Sequence, residues 1–316
     1  MRTTLALSFA CFLFAMACHG QTQPAQPTES EPTEADIRGM EPRPPHASES
    51  TETEPRAPHA LGTAGTTETD REPTEVGAQA EPNAAHRATR RTTTPPLVEP
   101  WAQVLAQFVT DDGGFRYAAL ATDAEARERL QAYVRAVGEA SGEGWTRDEA
   151  LAFYINAYNA LTVNAVIERW PIESVMDVEG FFDAHTHRVA GRAITLNQLE
   201  NDILRSEVYA EPRIHFAINC ASASCPPLQP EPFTARNLGA RLATATRVFV
   251  RATTRREGRA VWLSKIFEWF AADFDRVGGT RAFVASQLAE ADAEAVRDPR
   301  THIRFDEYDW ALNARP

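Results

Sequence analysis

The residue types that thiol chemistry needs are concentrated in one short segment of this 316-residue chain. His215, Cys220 and Cys225 follow one another there, and the other cysteines, Cys11 and Cys18, stand near the start of the sequence. A thiolate nucleophile needs a cysteine whose negative charge is stabilised and a base that a third polar group holds in place. The segment therefore predicts a site in which Cys220 is the nucleophile and His215 is the base.

The groups that complete such a site must come from other segments of the chain. Glu200 lies between apolar neighbours in a predicted helix, and we assign it the role of orienting the imidazole. Together the three residues resemble, part by part, the thiol site of papain or of a transglutaminase. This predicts a hydrolase or transferase that acts on peptide or amide bonds of a peptide or small-molecule substrate, without a cofactor.

Four further polar residues are predicted to contact the substrate: Asn156, Asn159, Asn219 and Lys265. The amide of Asn156 or Asn219 could donate a hydrogen bond to a developing oxyanion. An asparagine inside a helix costs roughly half a kcal/mol relative to alanine, so Asn156 and Asn159 each need a compensating interaction. In the alternative interpretation these amides tie their helix to a neighbouring loop, and Lys265 is a surface residue with a packed stem.

The predicted backbone makes the meeting of His215 and Cys220 difficult. Residues 214–218 are short, apolar and bounded by Pro212, and we predict that they form a buried strand. Residues five apart on a strand point to opposite faces of the sheet. The two side chains therefore share a site only if the chain bends after Ile218.

Three other interpretations of the same segment remain open. In an oxidising compartment Cys220 and Cys225 can form a local disulfide inside a binding or structural module. Alternatively, His215, both cysteines and Glu200 can bind zinc, although a Cys-x4-Cys spacing without a second matched pair is a weak signal. The third is a module that recognises an envelope ligand without catalysis. Another metal-like pair, His185 and His187, lies in a predicted surface turn and is expected to be solvated.

The start of the chain has the pattern of a secretory signal over residues 1–17, because a charged residue precedes an apolar run too short to span a bilayer. Cys18 follows Ala17 directly. This arrangement resembles a bacterial lipoprotein signal, in which that cysteine receives lipid, although Ala15 stands where the pattern usually has leucine. Cleavage without lipidation is the alternative. We expect a protein of the periplasm or cell envelope that meets the membrane only through this anchor.

Residues 18–98 are dominated by Pro, Thr, Glu, Ala and Ser and lack aromatic residues. Such a composition offers too little apolar surface to offset chain entropy, which predicts a disordered tether. The net charge of the chain is -12, which argues against a nucleic-acid partner. The globular domain is therefore expected over residues 99–316.

Hydrophobic periodicity predicts three helices in the first half of this domain. The first covers residues 101–109 and stops at the Asp and Gly residues 111–114. The second covers residues 123–137, with a capping box that begins at Thr122, and the third covers residues 146–170, with a capping box that begins at Thr146.

The rest of the domain is predicted to mix short strands with helices. A hairpin is expected around residues 190–192, and a helix that carries Glu200 is expected to begin near Thr195. The later predicted elements are helices at residues 234–246, 264–274 and 280–291 and strands at residues 248–252, Ala260–Leu263 and 303–305. This mixture indicates an α+β fold, in which several helices pack on a small mixed or antiparallel sheet.

Several motifs resemble those of the family known as domain of unknown function 547, DUF547. They are residues 153–161, the turn at 189–191, the Thr-Leu-x-x-Leu-Glu of 195–200, residues 212–217, the Cys-Ala-Ser-Ala-Ser-Cys-Pro of 220–226, residues 263–269 and the Tyr-Asp-Trp of 308–310. The resemblance extends over about residues 101–310. It implies a domain found in bacterial envelope proteins and in plant and animal proteins, and it implies no particular activity.

Overall fold

The structure is a computed structural model that describes residue 95 and residues 97–316. The predicted signal peptide, the lipid attachment at Cys18 and nearly all of the tether lie outside the described residues. The helices are α1 (Glu99–Phe108), α2 (Tyr117–Thr122), α3 (Ala124–Glu139), α4 (Arg147–Glu168), α5 (Leu196–Gln198), α6 (Leu238–Thr253), α7 (Ile266–Trp269), α8 (Ala271–Asp275), α9 (Thr280–Gln287) and α10 (Glu290–Arg297). The strands are β1 (Thr186–Val189), β2 (Arg192–Thr195), β3 (Arg255–Glu257), β4 (Ala260–Leu263) and β5 (His302–Phe305).

The predicted α+β class is confirmed. Strands β1 and β2 form an antiparallel hairpin, while β4 pairs antiparallel with β3 and parallel with β5 in a three-stranded mixed sheet. The turn of the hairpin has positive φ at Ala190 and Gly191, which gives the two-residue connection that a tight hairpin favours. Its predicted position is confirmed.

Helix α4 is the central helix of the core. Thr146 caps it with the predicted box, since its side chain accepts from the Glu149 amide and the Glu149 carboxylate accepts from the Thr146 amide. The helix is long and apolar enough to cross a membrane, but 83% of its most apolar window is buried within the domain. Its apolar character therefore fits a core helix, and it brings Asn156 and Asn159 into the interior.

Helix α3 begins with a different cap from the predicted one. The Asp123 carboxylate, rather than Thr122, accepts the hydrogen bond from the Ala126 amide. Thr122 is the last residue of α2, where its hydroxyl donates to carbonyls of the preceding turn. The two helices are thus separated by one residue, and an aspartate is as good a cap as a threonine.

The predicted strand at residues 214–218 is wrong. The chain forms a 3-10 helix over Pro212–Phe216, in which Pro212 occupies the first turn and the Glu211 side chain accepts from the Arg213 amide. Proline is well suited to this position because the first-turn amide has no partner in the helix. The objection that His215 and Cys220 point to opposite faces of a strand therefore disappears.

The predicted strand at residues 248–252 is also wrong, because α6 continues through it to Thr253. Its buried residues recur at helical spacing: Leu238, Leu242, Ala245, Thr246, Phe249 and Val250. The C-terminal part of this face, Ala245, Phe249 and Val250, packs into a second hydrophobic cluster with Phe216, Phe267 and Phe274. The burial of that face outweighs the local strand preference of the β-branched valines.

The helix predicted at residues 264–274 is interrupted. Phe270, with φ -109 and ψ 27, separates α7 from α8, and α8 carries Asp273. The helix predicted at residues 280–291 is likewise divided into α9 and α10. The break at Phe270 allows Asp273 to turn inward toward His215.

Candidate active site

A cavity of about 30 Å³ lies where the 3-10 helix, the cysteine segment and the C-terminal segment meet. Its polar lining consists of Tyr158, Glu200, His215, Cys220, Cys225 and Tyr308. All three residues predicted to be catalytic therefore line the same cavity. The rings of Trp269, Tyr308 and Trp310 pack against one another with centroids 4.6–6.0 Å apart and form one wall.

The sulfur of Cys220 is surrounded by hydrogen-bonding groups. Cys225 Sγ lies 2.8 Å away, and the hydroxyls of Ser222 and Tyr308 lie 3.1 and 3.2 Å away. Burial raises the pKa of the Cys220 thiol, but the hydrogen bonds from Cys225, Ser222 and Tyr308 outweigh it and lower the pKa to about 6. Cys220 therefore carries a thiolate at neutral pH, although only 7% of the residue is exposed.

Cys225 is the protonated member of the pair. Burial and the neighbouring Cys220 sulfur raise the pKa of its thiol well above the ordinary value. The Cys220 backbone amide donates to Cys225 Sγ over 2.8 Å. The two sulfurs, both unbridged, thus have opposite protonation preferences.

His215 is fixed by a carboxylate that sequence reasoning did not identify. Its Nε2 lies 2.8 Å from Oδ2 of Asp273, and the same oxygen accepts from Nε of Arg205 over 2.6 Å. Phe270 stacks on the imidazole at 4.1 Å. Burial lowers the pKa of His215 despite the neighbouring carboxylate, so the ring is neutral at pH 7. With Nε2–H donating to Asp273, the lone pair resides on Nδ1.

Glu200 lies in a turn of π-helix over Leu199–Leu204 and forms a hydrogen bond with Tyr158. Burial raises the pKa of Glu200 to about 8, although Arg205 and the Tyr158 hydroxyl oppose this shift. The Cys220 thiolate adds to the rise because a second negative charge nearby is unfavourable. Glu200 is therefore a neutral carboxylic acid at pH 7 and can donate a proton.

The asparagines predicted to contact substrate instead make paired hydrogen bonds to the backbone. Asn159 donates to the Ala217 carbonyl and accepts from the Asn219 amide. Asn219 in turn donates to the Pro226 carbonyl and accepts from the Ala221 amide. Asn156 bonds in the same way to the amide and carbonyl of Phe233. The structure thus favours the alternative in which these amides position loops.

Lys265 pairs with Glu268 Oε2 at 2.9 Å, one turn along the chain. It lies next to the cavity-lining helix α7 but is not among the cavity residues. This geometry favours the surface-lysine interpretation over a substrate contact.

The C-terminal segment completes the enclosure of the cysteine loop. The Ala223 amide donates to the Ala311 carbonyl, and the Asn313 amide donates to the Ala221 carbonyl. Ala221 itself has a φ of 66, a left-handed conformation that a non-glycine residue adopts only when its surroundings hold it there. These contacts from residues 311–313 keep the loop bent so that the two sulfurs face each other.

Residues 143–250 match the family model described as Protein of unknown function, DUF547. The predicted resemblance is confirmed over this region. No curated protein and no solved structure matches the chain. The DUF547 region contains Glu200, His215, Cys220 and Cys225, whereas Asp273 follows it in the chain.

The zinc interpretation receives no support from the arrangement of these side chains. Among the residues that the structure describes, no group of three or more His, Cys, Asp or Glu side chains is placed to hold a metal ion. The histidine pair that was expected to be solvated, His185 and His187, is partly buried. Burial lowers the pKa of the His187 imidazole. Neither cluster is therefore a candidate metal centre.

The positioning role of Asn159 predicts a large loss of stability. Asn159→Ala would leave a buried carbonyl and a buried amide without partners, at a cost of about 2–4 kcal/mol. Urea unfolding measures this loss. Asn164→Ala is the matched control, because Asn164 lies on the same helix but its side chain bonds to Glu168 one turn away. Equal effects of the two substitutions would contradict the assigned role.

Proposed function

We propose that the DUF547 region and the residues that enclose its site form a thiol-dependent hydrolase or transferase that acts on peptide or amide bonds. The observation that carries the proposal is the environment of Cys220, whose thiolate is stabilised by Cys225, Ser222 and Tyr308 inside a shared cavity. A thiolate that exists at neutral pH can attack a carbonyl without a base to remove its proton.

The first step in this proposal is attack of the Cys220 sulfur on the carbonyl carbon. The carbon–nitrogen bond then breaks, and the departing amine takes a proton from the neutral carboxyl group of Glu200. A carboxylic acid whose pKa is raised to about 8 is suited to this donation near neutral pH. The product is a thioester between the acyl group and Cys220.

The second step transfers the acyl group to water or to an acceptor amine. Nδ1 of neutral His215 is the base for this step, since Asp273 engages Nε2. The Asp273 carboxylate, held by Arg205, would stabilise the imidazolium that forms. In this scheme Asp273 takes the orienting role that the sequence assigned to Glu200, and Glu200 acts as the acid.

The proposal includes a location in the bacterial envelope. Its support is the sequence pattern of residues 1–17 and the cysteine at position 18. A mature chain that begins at Cys18 with a lipid adduct would support the anchor, and an unmodified N-terminus would oppose it.

A second candidate is a non-catalytic binding module in which Cys220 and Cys225 are bridged. The sulfur–sulfur distance of 2.8 Å favours it, because little movement separates the thiols from a bond. The two candidate functions differ in whether Cys220 accepts an acyl group from a substrate.

The proposal predicts that the rate of alkylation of Cys220 rises with pH and reaches half of its maximum near pH 6. Iodoacetamide reacts with the thiolate, so its rate should rise through the lowered pKa of about 6 and level off above it. Tyr308→Phe removes one hydroxyl from the sulfur and should move the midpoint to higher pH. The measurement is the rate of modification of the peptide 214–236, which trypsin releases with both cysteines.

The same peptide tests acyl transfer directly. With p-nitrophenyl acetate as the probe, the intact chain should form an acetyl adduct on Cys220, and Cys220→Ser should lose at least about a thousandfold in turnover. Ala223→Ser is the matched control, because Ala223 is exposed in the same loop. An alkylation midpoint above pH 8, or equal acetylation of the control and Cys220→Ser chains, would reject the proposal.

A further inference from the structure

In the proposed acyl transfer, the second thiol of the cysteine loop, Cys225, serves only as a hydrogen-bonding partner of the Cys220 thiolate. A cysteine nucleophile for acyl transfer needs one sulfur, yet Cys225 Sγ lies 2.8 Å from Cys220 Sγ. A disulfide bond has a length of about 2.05 Å, so the sulfurs are within about 1 Å of the bonded distance. Both cysteines line the cavity, and Cys225 is partly exposed whereas Cys220 is buried.

We propose that Cys220 and Cys225 form a redox pair that exchanges with low-molecular-weight disulfides, with Cys220 as the attacking and Cys225 as the resolving thiol. The inference rests on the nucleophilic Cys220 of the proposed function but not on acyl transfer. Because only 7% of Cys220 is exposed, a low-molecular-weight disulfide can approach its sulfur more closely than a disulfide within a folded protein.

The exchange proceeds in two displacements. The Cys220 thiolate attacks one sulfur of the small disulfide, forms a mixed disulfide and releases the other half as a thiolate, which takes a proton from solvent. Cys225 then attacks the Cys220 sulfur and releases the second half, which leaves with the Cys225 proton. The protein dithiol has lost two electrons and the small disulfide has gained them.

Two features of the loop suit these steps. The hydroxyls of Ser222 and Tyr308 face the attacking sulfur, and the Cys220 amide donates to the resolving one. The backbone on both sides is held by Asn219 and by residues 311–313. Bond formation therefore requires a small movement of the two sulfurs and no unfolding of the loop.

The test equilibrates the full chain with mixtures of reduced and oxidised glutathione, followed by acid quenching, alkylation and mass analysis of peptide 214–236. The peptide should change from the dithiol to a form lighter by two hydrogen atoms, with the steepness of a two-electron couple, and the change should reverse. Cys225→Ser should stop at the Cys220–glutathione adduct, whereas Ala223→Ser should behave like the unmodified chain.

A peptide that remains a dithiol in oxidised glutathione would overturn the exchange. So would a bridge that reduced glutathione cannot open in the folded chain, because such a bond is a fixed crosslink. Absence of the adduct in Cys225→Ser would remove Cys220 as the attacking thiol. Alkylation of Cys220 by iodoacetamide below pH 7 in the reduced, unmodified chain separates these failures from failure of the proposed function, since it reports the nucleophile with the hydrogen bonds from Cys225, Ser222 and Tyr308 in place.

Discussion

Replacing Glu200 with glutamine should increase the free energy of unfolding at pH 8, by on the order of 4 kcal/mol. Burial raises the pKa of Glu200 from its ordinary value of 4.5 to about 8. The folded state therefore binds this proton more tightly than the unfolded state. The stability contributed by the neutral acid is complete below about pH 4.5 and is lost as the pH rises to about 8. Glutamine has no proton to lose.

The measurement is urea unfolding of both chains between pH 5 and pH 9. The difference in stability between the variant and the unmodified chain should widen as pH rises, which isolates Glu200 from the other groups that titrate. Glu207→Gln is the matched control, because Glu207 follows in the chain but is exposed and pairs with Arg276 at the surface. Parallel profiles for Glu200→Gln and the unmodified chain would show that the acid is ionised in the folded state.

Asp273→Asn should destabilise the domain by about 3–5 kcal/mol, because it leaves the Arg205 guanidinium without its carboxylate in a largely buried position. Burial raises the pKa of Asp273, but the hydrogen bonds from His215 and Arg205 outweigh it and lower the pKa to about 2. The stability that this carboxylate contributes is therefore present above about pH 4 and is lost as the pH falls toward 2. The Asp273→Asn variant should not show this loss of stability as the pH falls.

Asp275→Asn is the matched control for this substitution, since Asp275 is exposed on the same short helix. Guanidinium unfolding at pH 7 and at pH 3 compares the two variants. If Asp273→Asn matches the control at pH 7, the ion pair with Arg205 does not stabilise the fold. If it also leaves acetylation of Cys220 and hydrolysis of the adduct unchanged, His215 does not depend on Asp273 for its position.

The sequence was sufficient for features with a local cause. The capping box at Thr146, the hairpin turn at residues 190–191 and the stop after α1 follow from residue types within a few positions of one another. The concentration of thiol chemistry around Cys220 could also be read from composition. These features need no knowledge of which segments meet in space.

The partners of the site residues could not be found in this way. Asp273 is 58 residues from His215 along the chain, and Tyr308 is 88 residues from Cys220. The residues next to Asp273 and Tyr308 in the sequence carry no sign of a site. Their roles in the site depend on burial next to His215 and Cys220, respectively. The only available signal was that the resemblance to DUF547 extended to the Tyr-Asp-Trp of residues 308–310.

The incorrect strand at residues 214–218 has a related cause. An apolar segment after a proline satisfies the criteria for a buried strand and for a 3-10 turn equally well. The 3-10 turn is favoured over the strand by contacts of Phe216 with Phe249 and Phe267, which lie far along the chain. Local preference was weaker than the burial of that ring in the second hydrophobic cluster.

The dependence of the cysteine loop on residues 311–313 has a consequence for biogenesis. These residues are synthesised about ninety positions after the loop that they enclose. A nascent chain consequently exposes both sulfurs to solvent until residues 311–313 have been synthesised and have docked on the loop. The cysteine loop therefore acquires its folded surroundings late, when residues 311–313 have docked.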